Sequence, residues 1–125
     1  MIMTGGGNDI MFSGGCATPE ACKMSVQALA DGLNELWTTM AADGVKDVIY
    51  IRYSKGAGTT NSANLPTEPP APPAICSSGR IRCSSLDTTD LVMGELIDGI
   101  HPSPAANDRI AEGLLQLLET KGIRR

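Results

Sequence analysis

Val26, Leu29, Leu33, Leu36, Trp37 and Met40 recur at mostly three- and four-residue steps, and a β-branched and aromatic run at residues 45–53 follows almost at once. The first pattern is that of a long amphipathic helix within residues 16–44, with Gly44 as its stop; the second has the composition and length of a strand. Ahead of both, Met1-Ile2-Met3-Thr4 reads as a buried strand that drops into a Gly5-Gly6-Gly7-Asn8-Asp9 turn. Strand, helix and strand joined in this way run parallel, with a right-handed crossover. The predicted class is therefore α/β with a parallel sheet.

Beyond Tyr53 the chain changes character. Residues 54–76 are rich in Gly, Asn and Pro, and Pro66, Pro69, Pro70, Pro72 and Pro73 rule out a helix or central strand there. The segment reads as a long loop, of the length at which loops in compact domains are functional or mobile. Residues 80–86 form a weaker candidate for a third strand, its alternation broken by Ser84 and Ser85. A final helix follows Asp98-Gly99-Ile100-His101-Pro102. Ser103 caps it, Pro104 takes its first position, Ile110, Leu114, Leu117 and Leu118 make its apolar stripe, and Lys121 and Gly122 end it. At 125 residues, without internal repeats, the chain fits one domain by length.

Fourteen acidic residues against ten basic give a formal charge of −4, and only Phe12, Trp37, Tyr50 and Tyr53 are aromatic. Nucleic acid is disfavoured on both counts, since a phosphate backbone wants cations and single strands want stacking platforms. No apolar run approaches the ~20 residues that span a bilayer, and no signal peptide pattern opens the chain. Cys16, Cys22, Cys76 and Cys83 form two local pairs with five and six residues inside them. With a single histidine, zinc ligation is a poor fit to these spacings, and a redox thiol would need a basic helix start that only Cys22 beside Lys23 approaches. Two loop-stapling disulfides are the simpler reading and imply a secreted or periplasmic protein; of the three connectivities, Cys16 with Cys22 and Cys76 with Cys83 is preferred because each pair lies within one loop.

His101, the sole histidine, follows Asp98 by three positions in a turn bounded by Gly99 and Pro102. A carboxylate so placed can reach a ring nitrogen, set the tautomer and stabilise the imidazolium. The plainer alternative is a turn in which Asp98 bonds backbone amides and His101 lies on the surface. Gly6 and Gly7 would let backbone approach a ligand, and Asn8 at a strand's carboxyl end would aim an amide donor into the crevice where open α/β sheets bind substrates. The alternatives are a simple turn, or a phosphate loop whose glycine spacing is not met here.

Taken together, Gly6-Gly7-Asn8-Asp9 after a strand and Asp98-Gly99-Ile100-His101-Pro102 before the last helix resemble two of the four signature blocks of the SGNH (GDSL) hydrolase family. The resemblance implies a flavodoxin-like three-layer α/β/α sandwich and an esterase or lipase acting on acyl esters, without a cofactor. It implies that Asn8 donates to the oxyanion, with Gly6 in the same block. It also implies that Asp98 and His101 are the acid and base of a Ser-His-Asp triad, followed by Pro102. The family's G-D-S nucleophile block and its second oxyanion block have no counterpart here, and Ser13, Ser25, Ser54 and Ser84 do not sit in such a turn. The chain thus resembles the C-terminal portion of such an enzyme, inactive alone. Its partners would be an acyl ester and either the segment bearing the serine or a second copy at the open sheet edge. A noncatalytic secreted binding module using the Pro-rich loop is the rival reading; it gives His101 no role.

Overall fold

Thr18 starts the long helix: its hydroxyl accepts the Ala21 N–H at 3.2 Å and Pro19 follows at the first position. A capped start with proline at N1 is the arrangement that leaves fewest orphan donors. In the computed structural model, which describes residues 1–7, 16–53, 64, 72–92 and 94–123, this helix, α1, spans Pro19–Ala42. It ends as the Asp43 and Gly44 N–H groups turn back to the carbonyls of Thr39 and Ala41, with Gly44 at a φ of 90°.

Three strands are described: β1 (Ile2–Met3), β2 (Asp47–Arg52) and β3 (Arg82–Asp87). They pair in the order β1-β2-β3, parallel throughout, with Ile2 opposite Ile49 and Asp47 opposite Arg82. The α/β class with a parallel sheet is thus realised. The run at 45–53 forms a strand only over Asp47–Arg52, because the ladder with β3 begins where Asp47 meets Arg82; there the Arg82 guanidinium grips the Asp47 carboxylate at 2.7 and 2.9 Å. Strand β3 lies two residues later than its apolar pattern suggests at its start. Two short helices escaped the sequence reading: a 3₁₀ helix at Ala74–Ser78 and α2 at Thr89–Val92. The 3₁₀ helix takes over the last residues of the loop expected at 54–76, most of which lies outside the described residues. Helix α3 spans Pro104–Thr120, with the Ser103 hydroxyl accepting the Ala106 N–H at 3.1 Å.

Strand alternation sends Met3, Val48, Tyr50 and Cys83 to one face, where Trp37 of α1 closes a cluster with Val48, Ile75 and Ile81. Trp37 is 4% exposed, and its indole N–H meets the Met3 sulfur at 3.2 Å. The opposite face carries Ile49, buried, and Leu86, against which α3 packs: a Cβ added at Gly113 would lie 3.7 Å from Leu86. Each face therefore has a helix that alternate residues of one strand can reach. Strand β1 occupies one end of the described sheet, with Ile2 exposed.

Both expected disulfides are present, Cys16–Cys22 and Cys76–Cys83. Their surroundings differ from the expectation. Neither closes a single loop: Cys22 lies in α1, and Cys76–Cys83 ties the 3₁₀ helix to β3. The long helix begins already at Pro19 and the third strand at Arg82, so each bridge pins an element to the segment leading into it. Two disulfides fit an extracellular or periplasmic location, and among the described residues no helix is long and apolar enough to cross a membrane.

Candidate active site

After β3 leaves the carboxyl edge of the sheet, Thr88 is buried with its hydroxyl donating to the Arg52 carbonyl at 2.7 Å, and Asp87 receives the Thr89 N–H. This turn launches α2, and residues 94–103 then form a narrow loop leading to α3. An antiparallel bridge joins Leu96 to Pro102, and the Ile97 N–H donates to the His101 carbonyl at 2.8 Å. Gly99 at the tip has a φ of 80°, a conformation glycine adopts without steric cost.

Inside this loop Asp98 does two things at once. Its Oδ1 accepts the N–H groups of Ile100 and His101 at 3.0 and 2.8 Å, and its Oδ2 meets His101 Nδ1 at 2.6 Å. The backbone N–H of His101 is the foremost cause that holds the Asp98 carboxyl well below the usual carboxylate range, followed by the His101 ring and the Ile100 N–H. An anionic carboxylate can only accept, so Nδ1 carries a proton, and in the neutral ring Nε2 is left with its lone pair. The His101 side chain is 73% exposed. The two sequence readings of this turn are therefore not exclusive: Asp98 does bond backbone amides, His101 does lie at the surface, and the pair is formed as well.

Gly6 and Gly7 are placed by packing. Gly6 has a φ of 83°, and a Cβ there would collide with the Leu29 methyl groups of α1; one on Gly7 would lie 2.9 Å from the Tyr53 ring. The Gly5 carbonyl, just before them, accepts the Tyr50 hydroxyl at 2.6 Å. Their position at the carboxyl end of β1 puts them at the same edge of the parallel sheet as the turn that leads to Asp98 and His101. Asn8 lies outside the described residues.

Sequence reasoning passed over Glu95 and Arg109. Glu95 accepts the Ser103 hydroxyl at 3.1 Å and pairs with the Arg109 guanidinium at 3.1 Å, which holds its carboxyl below the ordinary range. Fourteen positions separate the two, so no local pattern announces the pair. A cavity of about 310 Å³ lies elsewhere, between α1, β2, β3 and Pro72-Pro73, walled by Leu29, Leu33, Trp37 and Tyr50. No residue of the 94–103 loop lines it. Among the described residues no group of three or more His, Cys, Asp and Glu side chains could hold a metal ion. The chain matches no protein-family model, no curated protein and no solved structure.

Proposed function

We propose that this chain carries the acid and base of a serine ester hydrolase, and that its sheet belongs to a flavodoxin-like three-layer sandwich. The observation that carries the reading is the 2.6 Å contact of His101 Nδ1 with Asp98, which leaves an exposed ring with Nε2 free to accept a proton. A serine from outside these 125 residues attacks the ester carbonyl, and its hydroxyl proton passes to Nε2. Asp98 stabilises the imidazolium that results, and the proton then moves from Nε2 to the departing alcohol. Asn8 donates to the oxygen that becomes negative, beside the backbone of Gly6 and Gly7. No cofactor enters these steps.

The end position of β1 supports a place for the polypeptide that brings the serine, which adds strands to that edge, or for a second copy that pairs there. The disulfides support action outside the cytoplasm. The test is a fluorophosphonate probe applied to this chain alone and to the chain joined to its upstream segment, with ester hydrolysis measured in parallel. Labelling and hydrolysis only in the joined form, both lost in His101→Ala, are expected. Hydrolysis that survives His101→Ala overturns the reading, and absence of hydrolysis in the joined form favours the noncatalytic binding module instead.

A further inference from the structure

Residues 94–103 hold Asp98 and His101 at the tip, but the loop is closed at its neck. There the Ser103 N–H donates to the Glu95 carbonyl at 2.8 Å, and the Ser103 hydroxyl donates to Glu95 Oε2 at 3.1 Å while also capping α3. Glu95 Oε1 in turn meets an Arg109 terminal nitrogen at 3.1 Å. The same guanidinium reaches backwards, its Nε–H donating to the Leu91 carbonyl at 2.7 Å, with a marginal contact to the Val92 carbonyl at 3.5 Å. One side chain from α3 therefore fastens the end of α2, where the loop leaves, to the neck through which it returns.

We propose that Arg109 is a positioning residue for the Asp98–His101 pair: it clamps α2, Glu95 and Ser103 together, and so fixes the orientation of the His101 ring. The proposal rests on the hydrolase reading for its functional meaning. Three features argue for a clamp rather than an ordinary surface ion pair, which is worth little in stability. The Arg109 side chain is only 31% exposed. Its nitrogens serve acceptors on two different elements, which the planar fork of arginine allows and the single ammonium of lysine does not. The neck it holds also carries the two chain ends of the dyad loop, joined there by the Ser103–Glu95 backbone bond and the Leu96–Pro102 bridge. A small error there matters, because misplacing a catalytic group by about 1 Å can cost about 10²-fold in rate.

The test uses the full 125-residue chain and NMR of the single histidine, whose ring ¹⁵N shifts report which nitrogen holds the proton. The wild-type chain shows the Nδ1–H form. In Arg109→Gln the ring nitrogens move toward the mixed tautomers of a free imidazole, and exchange of the Nδ1 proton speeds by about tenfold, the change expected when one charge-assisted hydrogen bond is lost. Glu95→Gln, which keeps the shape of the neck and removes its charge, gives the same change in smaller measure, and provides the readout if Arg109→Gln does not fold. Trp37→Phe, which perturbs the opposite face of the sheet, leaves the ring pattern unchanged. An unaltered His101 ring in both neck variants overturns the proposal. Altered rings in an upstream-joined protein that hydrolyses no ester would leave the clamp standing and remove the hydrolase reading.

Discussion

Asp98 holds His101 at two atoms, accepting its backbone N–H at 2.8 Å with one carboxylate oxygen and meeting its ring Nδ1 at 2.6 Å with the other. The backbone bond fixes the turn, and the ring bond fixes the tautomer. Because both act on the same carboxylate, the conformation of the loop and the chemistry of the ring share one charge.

The first expected consequence is an acid transition confined to this loop. A carboxyl whose folded-state affinity for protons is lowered contributes its stabilisation above the unfolded value of about 3.9, and that contribution is lost as the pH falls through the lower folded-state value. The Asp98 side-chain carboxyl carbon should therefore keep the shift of its ionised form above about pH 4 and move only at more acid pH. NMR titration checks this, and a midpoint at or above the ordinary aspartate value would contradict the bonding described.

Asp98→Asn separates the two roles. The amide oxygen can still accept the Ile100 and His101 N–H groups, but its NH2 turned toward the ring favours the opposite tautomer. On the hydrolase reading, turnover of the upstream-joined protein should drop by on the order of 10⁴, as for the same exchange in a Ser-His-Asp triad, with the thermal midpoint little changed. An ester hydrolysis assay and a melting curve on the same variant measure both.

Gly6→Ala should destabilise the fold by about 1–3 kcal/mol, since the left-handed conformation is strained for a residue with a side chain. Part of the cost is steric, against Leu29. Gly32→Ala is the counterpart within α1, where a Cβ meets nothing within 4 Å. It should stabilise by up to about 1 kcal/mol through helix propensity. Denaturant unfolding of the pair distinguishes them, and equal effects would contradict the packing of Gly6 on α1.

Breaking Cys76–Cys83 by replacing both residues with alanine should cost about 2–3 kcal/mol, the closure entropy of so short a loop together with the docking of the 3₁₀ helix on β3. Peptide mapping without reductant should find both native bridges, and recovery of four alkylatable thiols would remove the argument for an oxidising compartment.

The two long helices were legible because each is specified locally, whereas the 3₁₀ helix and α2 were not. Gly44 ends α1, Ser103 and Pro104 start α3, and the period of apolar residues marks the inward stripe of each, Leu36 being exposed, all through contacts within a few positions, while the Thr18–Pro19 start of α1 came from the structure. The Asp98–His101 pair was legible for the same reason, being three residues apart in one turn. What the tertiary structure decided lies at longer range. The register that starts β2 at Asp47 follows from Arg82, 35 positions away. Gly6 must lack a Cβ because the Leu29 methyl groups occupy the space one would take, and Arg109 finds Glu95 only once α3 packs back on α2. Such pairings depend on which surfaces meet after collapse, and neither propensity nor periodicity records that.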